Sequence, residues 1–413
     1  MSDSRSATAT RAGTDRESAD DGLTVDAGLL VAPSPECEAD RLGAFASRIV
    51  IDASEELTAA TAANWRFHEE EPERLSDRDP RRPSAFLDEA ALRMVEGPYD
   101  LLVVVTDAPL LARSRRRVAG LASPLSRVVV VSTHRLQVSG RGQPSRSLDS
   151  ATVRHNGATV LLHQIGHVLG ASHDPDGGVM TPFEFDPDRS GVPEFDAGAS
   201  RHLERIAGQI PEESVESRSV PGLVAFHLGS AARNWRQVGR ALVTSRAPLL
   251  PLSLPKLSTA AVAPALILVF SAETWDVGMN LDNVTAVSFA AASILLAAVY
   301  LVFSLNLNVP RERRAVVTEH VALLNVAILG VLVFGMAGLF ALVGAVMLVI
   351  EFVVFPPNLM TNWPSLEDPV VTVVDLVRTG GFIATIGVLS GALAGGLEDR
   401  TILRQLALFL AKP

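Results

Sequence analysis

The sequence predicts an α/β (α+β) domain in its first half and an all-α helical transmembrane domain in its second. Two observations carry that division. Up to about residue 210, short runs of branched apolar residues alternate with stretches whose apolar positions recur at helical spacing, the mark of strands and helices packed in layers. Beyond residue 257 the chain turns into long apolar runs, and about 20 such residues suffice to cross a bilayer. The 413 residues exceed one ordinary domain, and a mean hydropathy of +0.26 beside 20% charged residues reflects this split.

Residues 1–22 are mostly Ser, Asp, Arg, Ala and Thr without an apolar stretch, and read as a disordered acidic tail with no secretory signal. The first domain then runs over 23–210. Residues 29–32 read as a short strand and 38–62 as a helix with Leu42, Phe45, Ile49 and Ile51 at its apolar positions. Residues 64–70 return as a strand and 84–96 form a second helix. Residues 100–107 and 128–133 are buried strands by their branched runs. A Gly/Ser/Arg-rich loop at 139–147 leads into a helix with Asp149 or Ser150 as N-cap, and 196–209 form a last helix.

The chemistry lies in His163-Gln164-Ile165-Gly166-His167-Val168-Leu169-Gly170-Ala171-Ser172-His173. His163 and His167 stand four apart, so on a helix their imidazoles share one face and can grip one metal ion. Gly170 lets the chain leave the helix by a turn that a side chain would obstruct, bringing His173 in as a third ligand. Met180, in Gly-Gly-Val-Met-Thr-Pro, is placed to pass beneath the metal. Residues 158–162 give the helix an apolar lead-in, and Asp174-Pro175-Asp176-Gly177-Gly178 ends regular structure. Three histidines at this spacing are a zinc set.

This run resembles the metzincin pattern H-E-x-x-H-x-x-G-x-x-H followed by a Met-turn, with Gln164 where that family carries its general-base Glu. Residues 104–110, 118–122 and 130–136 resemble the archaemetzincin arrangement ahead of its zinc helix, and the likeness spans about residues 100–182. The resemblance implies a compact zinc peptidase domain with ligands at His163, His167 and His173, a Met-turn at Met180 and a base at position 164. Archaemetzincins also carry a cysteine cluster after the third His for a structural zinc. Here Asp174 follows His173 directly and Val179 precedes Met180, so a single Zn2+ is expected.

A Gln amide can hydrogen-bond a water but cannot accept its proton, and general acid–base catalysis is worth about 10²–10⁴-fold in rate. Three explanations stay open: a natural pseudo-peptidase, a substitute carboxylate such as Asp174 or Glu184, or an inactivating change at Gln164. Other candidates weigh less. Cys37, the single cysteine, excludes an intrachain disulfide and reads as an inert thiol. His155 lies more than two helical turns from His163, Phe183 rather than a tyrosine stands near Met180, and Arg115-Arg116-Arg117 reads as a solvated turn. A net charge of −10 argues against nucleic acid as a partner. With lysine only at Lys256 and Lys412, the composition suits either a salt-adapted surface or plain codon bias.

Residues 211–256 read as a basic amphipathic connector. A helix over 224–243 carries Arg233, Trp235, Arg236 and Arg240 onto the inner membrane surface, and a proline-rich stretch follows at 248–255. Apolar runs at about 257–275, 284–306, 320–355 and 370–396 predict a transmembrane domain over 257–400 of four or five helices, then a tail at 401–413. The third run would be about 54 Å long as one helix. Five spans, with a break at Gly335-Met336-Ala337-Gly338, satisfy length, whereas four satisfy the positive-inside rule. The arginines place the zinc domain on the cytoplasmic side of a multi-pass cell-membrane protein. Asp375 and Arg378, three apart near the start of the last run, are expected to pair, and as intramembrane charges they are functional candidates.

The expected protein is a membrane-anchored zinc metallopeptidase-like chain acting on peptide bonds of proteins at the cytoplasmic face, impaired by Gln164. The alternative is a catalytically inactive pseudo-peptidase that binds peptides as a regulatory module. A transporter with a regulatory metal domain would need polar groups lining its spans. A peptide or protein substrate and the lipid bilayer are the expected partners, and no sequence feature sets an oligomeric state.

Overall fold

In the computed structural model, which describes residues 23–97, 99–112, 116–138, 145–174, 178–207, 214–216, 220–307, 316–354, 371–396 and 408–409, the chain divides into two units. The first takes the chain to residue 233 together with 316–322, and the second takes the remainder. The expected tail 1–22 and nearly all of 401–413 lie outside the described residues.

The first unit is built on strands β1 (Thr24–Ala32), β2 (Asn64–Glu69), β3 (Leu101–Thr106), β4 (Leu110–Leu111), β5 (Arg117–Val118), β6 (Gly120–Ser123) and β7 (Val128–Ser132). Its helices are α1 (Ala39–Thr61), α2 (Leu87–Glu96), α3 (His134–Gln137), α4 (Ala151–Val168), α5 (Ala197–Ala207) and α6 (Val220–Arg233). Five strands form one sheet in the order β2-β1-β3-β7-β6. The first four in space are parallel and β6 runs antiparallel along the edge of β7.

Every residue of β3 and β7 is buried, because helices cover both faces of the sheet. Ala27, Leu29, Val31, Val103, Val105, Val129 and Val131 point to one face, where they join α1 and α4 in a single core. The alternate residues point to the other face, where α2 packs on β1 and β3. A strand covered on both sides reads as a continuous apolar run rather than an alternation, which is why these strands were legible. The mixed α/β architecture of the first unit thus agrees with the sequence.

Three local differences have simple causes. Leu42, Phe45 and Ile49 are buried along α1, but Ile51 is 58% exposed, since two residues on from Ile49 is about 200° around the helix. The 84–96 helix opens as a 3₁₀ turn, Pro83–Phe86, before α2. Strand β6 is only Gly-Leu-Ala-Ser, too short and too poor in branched residues to announce itself, and its pairing with β7 makes it a strand. Beyond the sheet, β8 (Ser214–Glu216) pairs antiparallel with β9 (Val316–Thr318).

The second unit is helical: α7 (Trp235–Ser245), α8 (Leu250–Ser253), α9 (Pro255–Leu268), α10 (Ala272–Asn280), α11 (Asn283–Ser304), most of α12 (Glu319–Val354) and α13 (Val373–Gly395). The single helix expected over 224–243 is interrupted at Asn234, between α6 and α7. The apolar run 257–275 is also broken. It forms α9 and the start of α10, with a corner at 269–271 where the Trp275 indole donates to the Val269 carbonyl at 2.8 Å. The run 320–355 does not split at Gly335-Met336-Ala337-Gly338. A Cβ at Gly338 would fall 2.0 Å from the Pro248 carbonyl oxygen, so this small-residue segment admits a neighbouring backbone instead of ending the helix.

Among the described residues, three helices are long and apolar enough to cross a membrane: Asn283–Ser304, Val321–Val354 and Val373–Gly395. A pair bent by 57°, Val238–Ser253 with Pro255–Leu268, would make a fourth if counted as one span. Val284, Val287, Leu296 and Phe303 on α11 and Val349 and Val353 on α12 are exposed, an outward apolar face suited to hydrocarbon. These helices suggest membrane association. At the start of α13, Thr372 and Asp375 close a capping box. Arg378 stands 3.6 Å from Asp375 and donates to the Met279 carbonyl at 2.9 Å.

Candidate metal centre

Helix α4 is buried almost all round because it lies between α1 and strands β6 and β7. Its last turns carry His163, Gln164 and His167, which are 1%, 2% and 7% exposed. The helix ends where Gly170 takes a φ of +85°. There the Gly170 amide donates to the His167 carbonyl at 3.1 Å and the Ala171 amide to the Gly166 carbonyl at 2.8 Å, the paired bonds of a Schellman turn. That turn swings His173 back over the helix face.

The three imidazoles converge. His167 Nε2 lies 3.1 Å from His163 Nε2 and 3.2 Å from His173 Nε2, and the three ligand atoms all fall within 4.8 Å of one another. Nitrogens bound tetrahedrally to one zinc ion sit about 3.3 Å apart, given Zn–N bonds of about 2.0–2.1 Å. On two of the rings the opposite nitrogen is occupied: His163 Nδ1 bonds the Val179 carbonyl at 2.8 Å and His167 Nδ1 the Ala171 carbonyl at 3.0 Å. A carbonyl partner makes Nδ1 the protonated nitrogen, which leaves each Nε2 lone pair facing the other rings. Such a cluster of lone pairs is repulsive by itself and suits a cation at its centre. His163, His167 and His173 therefore form a group able to hold a metal ion.

Beneath them the floor is equally specific. Met180 is 1% exposed, and a Cβ on Gly166 would stand 2.5 Å from its Sδ. The segment carrying Met180 is tied down by Val179 N to Glu194 O at 3.2 Å and Asp174 N to Met180 O at 3.1 Å. Farther along α4, Asn156 donates to the Asp186 carbonyl at 2.7 Å and accepts from its amide at 3.0 Å. Histidine spacing does not single out Gly166, Asn156 or the Val179 carbonyl. Only the return of residues 178–195 against α4 gives them a part.

Burial pushes the His163 and His167 rings below the ordinary histidine range, His167 to about 4. The neutral, metal-ready form therefore persists into acid. The sign for stability follows. Between about 4 and the ordinary value of about 6.5, the unfolded chain binds more protons than the folded one. The stability of the chelated protein is expected to rise with pH across that window, to be full above it and to be lost as pH falls through it. Denaturant midpoints measured against pH in chelator would show this slope; a flat profile would contradict it.

Gln164 differs from the histidines in its hydrogen bonding. Its Oε1 is buried without a hydrogen-bond partner among the described residues, while its Cγ lies near β6, 3.1 Å from where a Cβ of Gly120 would be. The two carboxylates considered as substitutes do not join the three-histidine group: Glu184 is exposed and Asp174 half-buried. Phe183 packs against the core, and His155 lies beside Arg154 at 3.1 Å. Cys37 is half-buried, and burial followed by the Asp107 charge pushes its thiol up, away from the reactive thiolate. Arg116 and Arg117 are exposed, and Arg115 lies outside the described residues.

Gly170→Ala tests the turn. A non-glycine residue in the left-handed region costs about 1–2 kcal/mol, so both the unfolding midpoint and zinc affinity are expected to fall; calorimetry with and without zinc measures each.

No protein-family model matches the chain. Over 98 residues the chain is 35% identical to archaemetzincin of Natronomonas pharaonis, a stretch amounting to 24% of this chain and 55% of that protein. The chain thus spans a little over half the length of the curated relative it matches. Among solved structures it is similar to archaemetzincin from Methanopyrus kandleri, at 21% identity and a TM-score of 0.32 over 44% of this chain and 95% of that one. It is also similar to a zinc-dependent peptidase from Methanocorpusculum labreanum, at 19% identity and a TM-score of 0.32 over 42% of this chain and 99% of that one.

Proposed function

We propose that this chain is a membrane-anchored, zinc-binding metallopeptidase-like protein that engages peptide segments of proteins at the cytoplasmic membrane face, with turnover impaired at Gln164. The observation carrying this reading is the convergence of three Nε2 atoms, with the Nδ1 atoms of His163 and His167 bonded to backbone carbonyls. One zinc ion per chain is assigned to His163, His167 and His173; when bound, zinc supplies Lewis-acid polarisation of a peptide carbonyl and lowers the pKa of water.

The rest falls to the protein's own side chains. His163 and His167 are held by Val179 and Ala171, Gly170 sets the turn that delivers His173, and Met180 braces the helix from below. Gln164 stands where a proton acceptor is needed. Its amide can orient a water by hydrogen bonding but cannot hold the proton or return it to a leaving amine. The buried, unpartnered Oε1 of Gln164 favours a second reading, a pseudo-peptidase that keeps the zinc fold as a peptide-binding module. The similarity to archaemetzincin supports a peptidase origin for the domain under either reading.

The long apolar helices support an anchor in the bilayer. The basic connector before the first apolar run and Arg311-Glu312-Arg313-Arg314 after the second support a cytoplasmic zinc domain. The test is chelator-sensitive cleavage of a peptide library by the zinc-loaded full chain in detergent. Cleavage by the chain as it stands favours the enzyme, and zinc retention with peptide binding but no cleavage favours the binding module. A chain that retains no zinc sinks both.

A further inference from the structure

Glu351 lies in the last turns of α12, in a stretch from 326 to 354 that is otherwise apolar. It is 0% exposed, and both carboxylate oxygens are buried without a hydrogen-bond partner among the described residues. The side chain points at α13. A Cβ on Gly380 would stand 3.3 Å from Oε1 and 3.5 Å from Oε2, with Leu348 beside it. The absence of a side chain at Gly380 is what admits the carboxylate between the two helices.

No positive charge answers it among the described residues. On α13 the charged groups are Asp375 and Arg378, and the Arg378 guanidinium is turned to Asp375 and to the Met279 carbonyl on α10. The carboxylates of α10, Glu273 and Asp276, are exposed. An ionised carboxylate sealed in protein interior without a partner is strongly unfavourable, and a negative charge in the last turn of a helix is opposed by the helix dipole as well. Intramembrane carboxylates of this kind mark ion pathways and proton relays.

The geometry points to Glu351 as a binding site for a single positive charge, a proton or a monovalent cation, in the membrane unit between α12 and α13. This assignment stands apart from the zinc domain and gives the helical unit a role beyond anchoring.

The test uses the full chain in detergent or lipid vesicles and a hydrophobic carbodiimide, which modifies carboxyl groups only in their protonated form in apolar surroundings. Modification is expected at Glu351, located by mass spectrometry, and is expected to vanish in Glu351→Gln. Loss of labelling on raising pH alone identifies the proton as the ligand. Protection by sodium or potassium at fixed pH identifies a cation. Helical circular dichroism and a single size-exclusion peak in detergent, matched to the unsubstituted chain, report that the variant is folded. Infrared difference spectra of the same two proteins give a second readout, in which Glu351→Gln removes either a protonated-carboxyl band or a cation-sensitive carboxylate band. The assignment is overturned if Glu351 resists the reagent from mildly acidic to mildly alkaline pH, in sodium- and potassium-free buffer, while the infrared spectrum shows a carboxylate insensitive to pH and salt.

Discussion

Replacing Gln164 by Glu is expected to raise zinc-dependent peptide hydrolysis by about 10²–10⁴-fold, the usual worth of a positioned general acid–base group. Gln and Glu have nearly the same shape, so the change at a position only 2% exposed should leave α4 and its three histidines in place. The Oε1 that has no partner among the described residues would become a carboxylate oxygen able to take a proton from water and return it to the leaving amine. Zinc-loaded full-length protein and its Gln164→Glu variant, compared for cleavage with and without chelator, measure the effect. Comparable cleavage by both would mean that another group supplies the base. Silence from both, with zinc retained, would mean that the domain has lost more than one residue of its catalytic apparatus.

Replacing His167 by Ala is expected to abolish zinc retention. His167 is the ring shared by both short contacts, at 3.1 Å to His163 and 3.2 Å to His173, so its loss leaves two imidazoles without the nitrogen between them. A ligand that binds only the folded state adds about 2.7 kcal/mol at a free concentration 100 times its Kd. That zinc-dependent stabilisation should disappear from the variant and persist in His155→Ala, which alters a histidine outside the group. Metal content by elemental analysis and unfolding midpoints with and without zinc decide the matter. Undiminished zinc in His167→Ala would place the metal elsewhere.

Much of the first unit was legible because its signals are local. β3 and β7 declare themselves as unbroken branched runs, since both faces of those strands are covered. α1 shows its buried stripe at Leu42, Phe45 and Ile49, while Ile51 shows how a residue adjacent in sequence to that stripe can face water. β6 was not legible, because its four residues become a strand only by pairing with β7. In the second unit, apolarity marks where the long helices lie but not where they bend. The run 257–275 contains a corner held by Trp275, whereas the helix Glu319–Val354 continues unbroken through Gly335-Met336-Ala337-Gly338, where the Pro248 backbone packs against Gly338. Glu351 shows the same limit. A lone carboxylate in an apolar run can snorkel or be buried, and its placement against Gly380 decides between them.

By itself the sequence determined what depends on neighbours a few residues apart. His163 and His167 share a helix face because four residues are about one turn, Gly170 marks a turn because only glycine enters the left-handed region freely, and Gln164 lacks a titratable oxygen whatever surrounds it. The tertiary structure alone decided which carbonyls hold the rings, that Met180 lies under Gly166, that the Gln164 Oε1 has no partner among the described residues and that Glu351 is buried against Gly380. Those features arise from residues remote along the chain, and their pairing is set by packing that helical and strand periodicities do not encode.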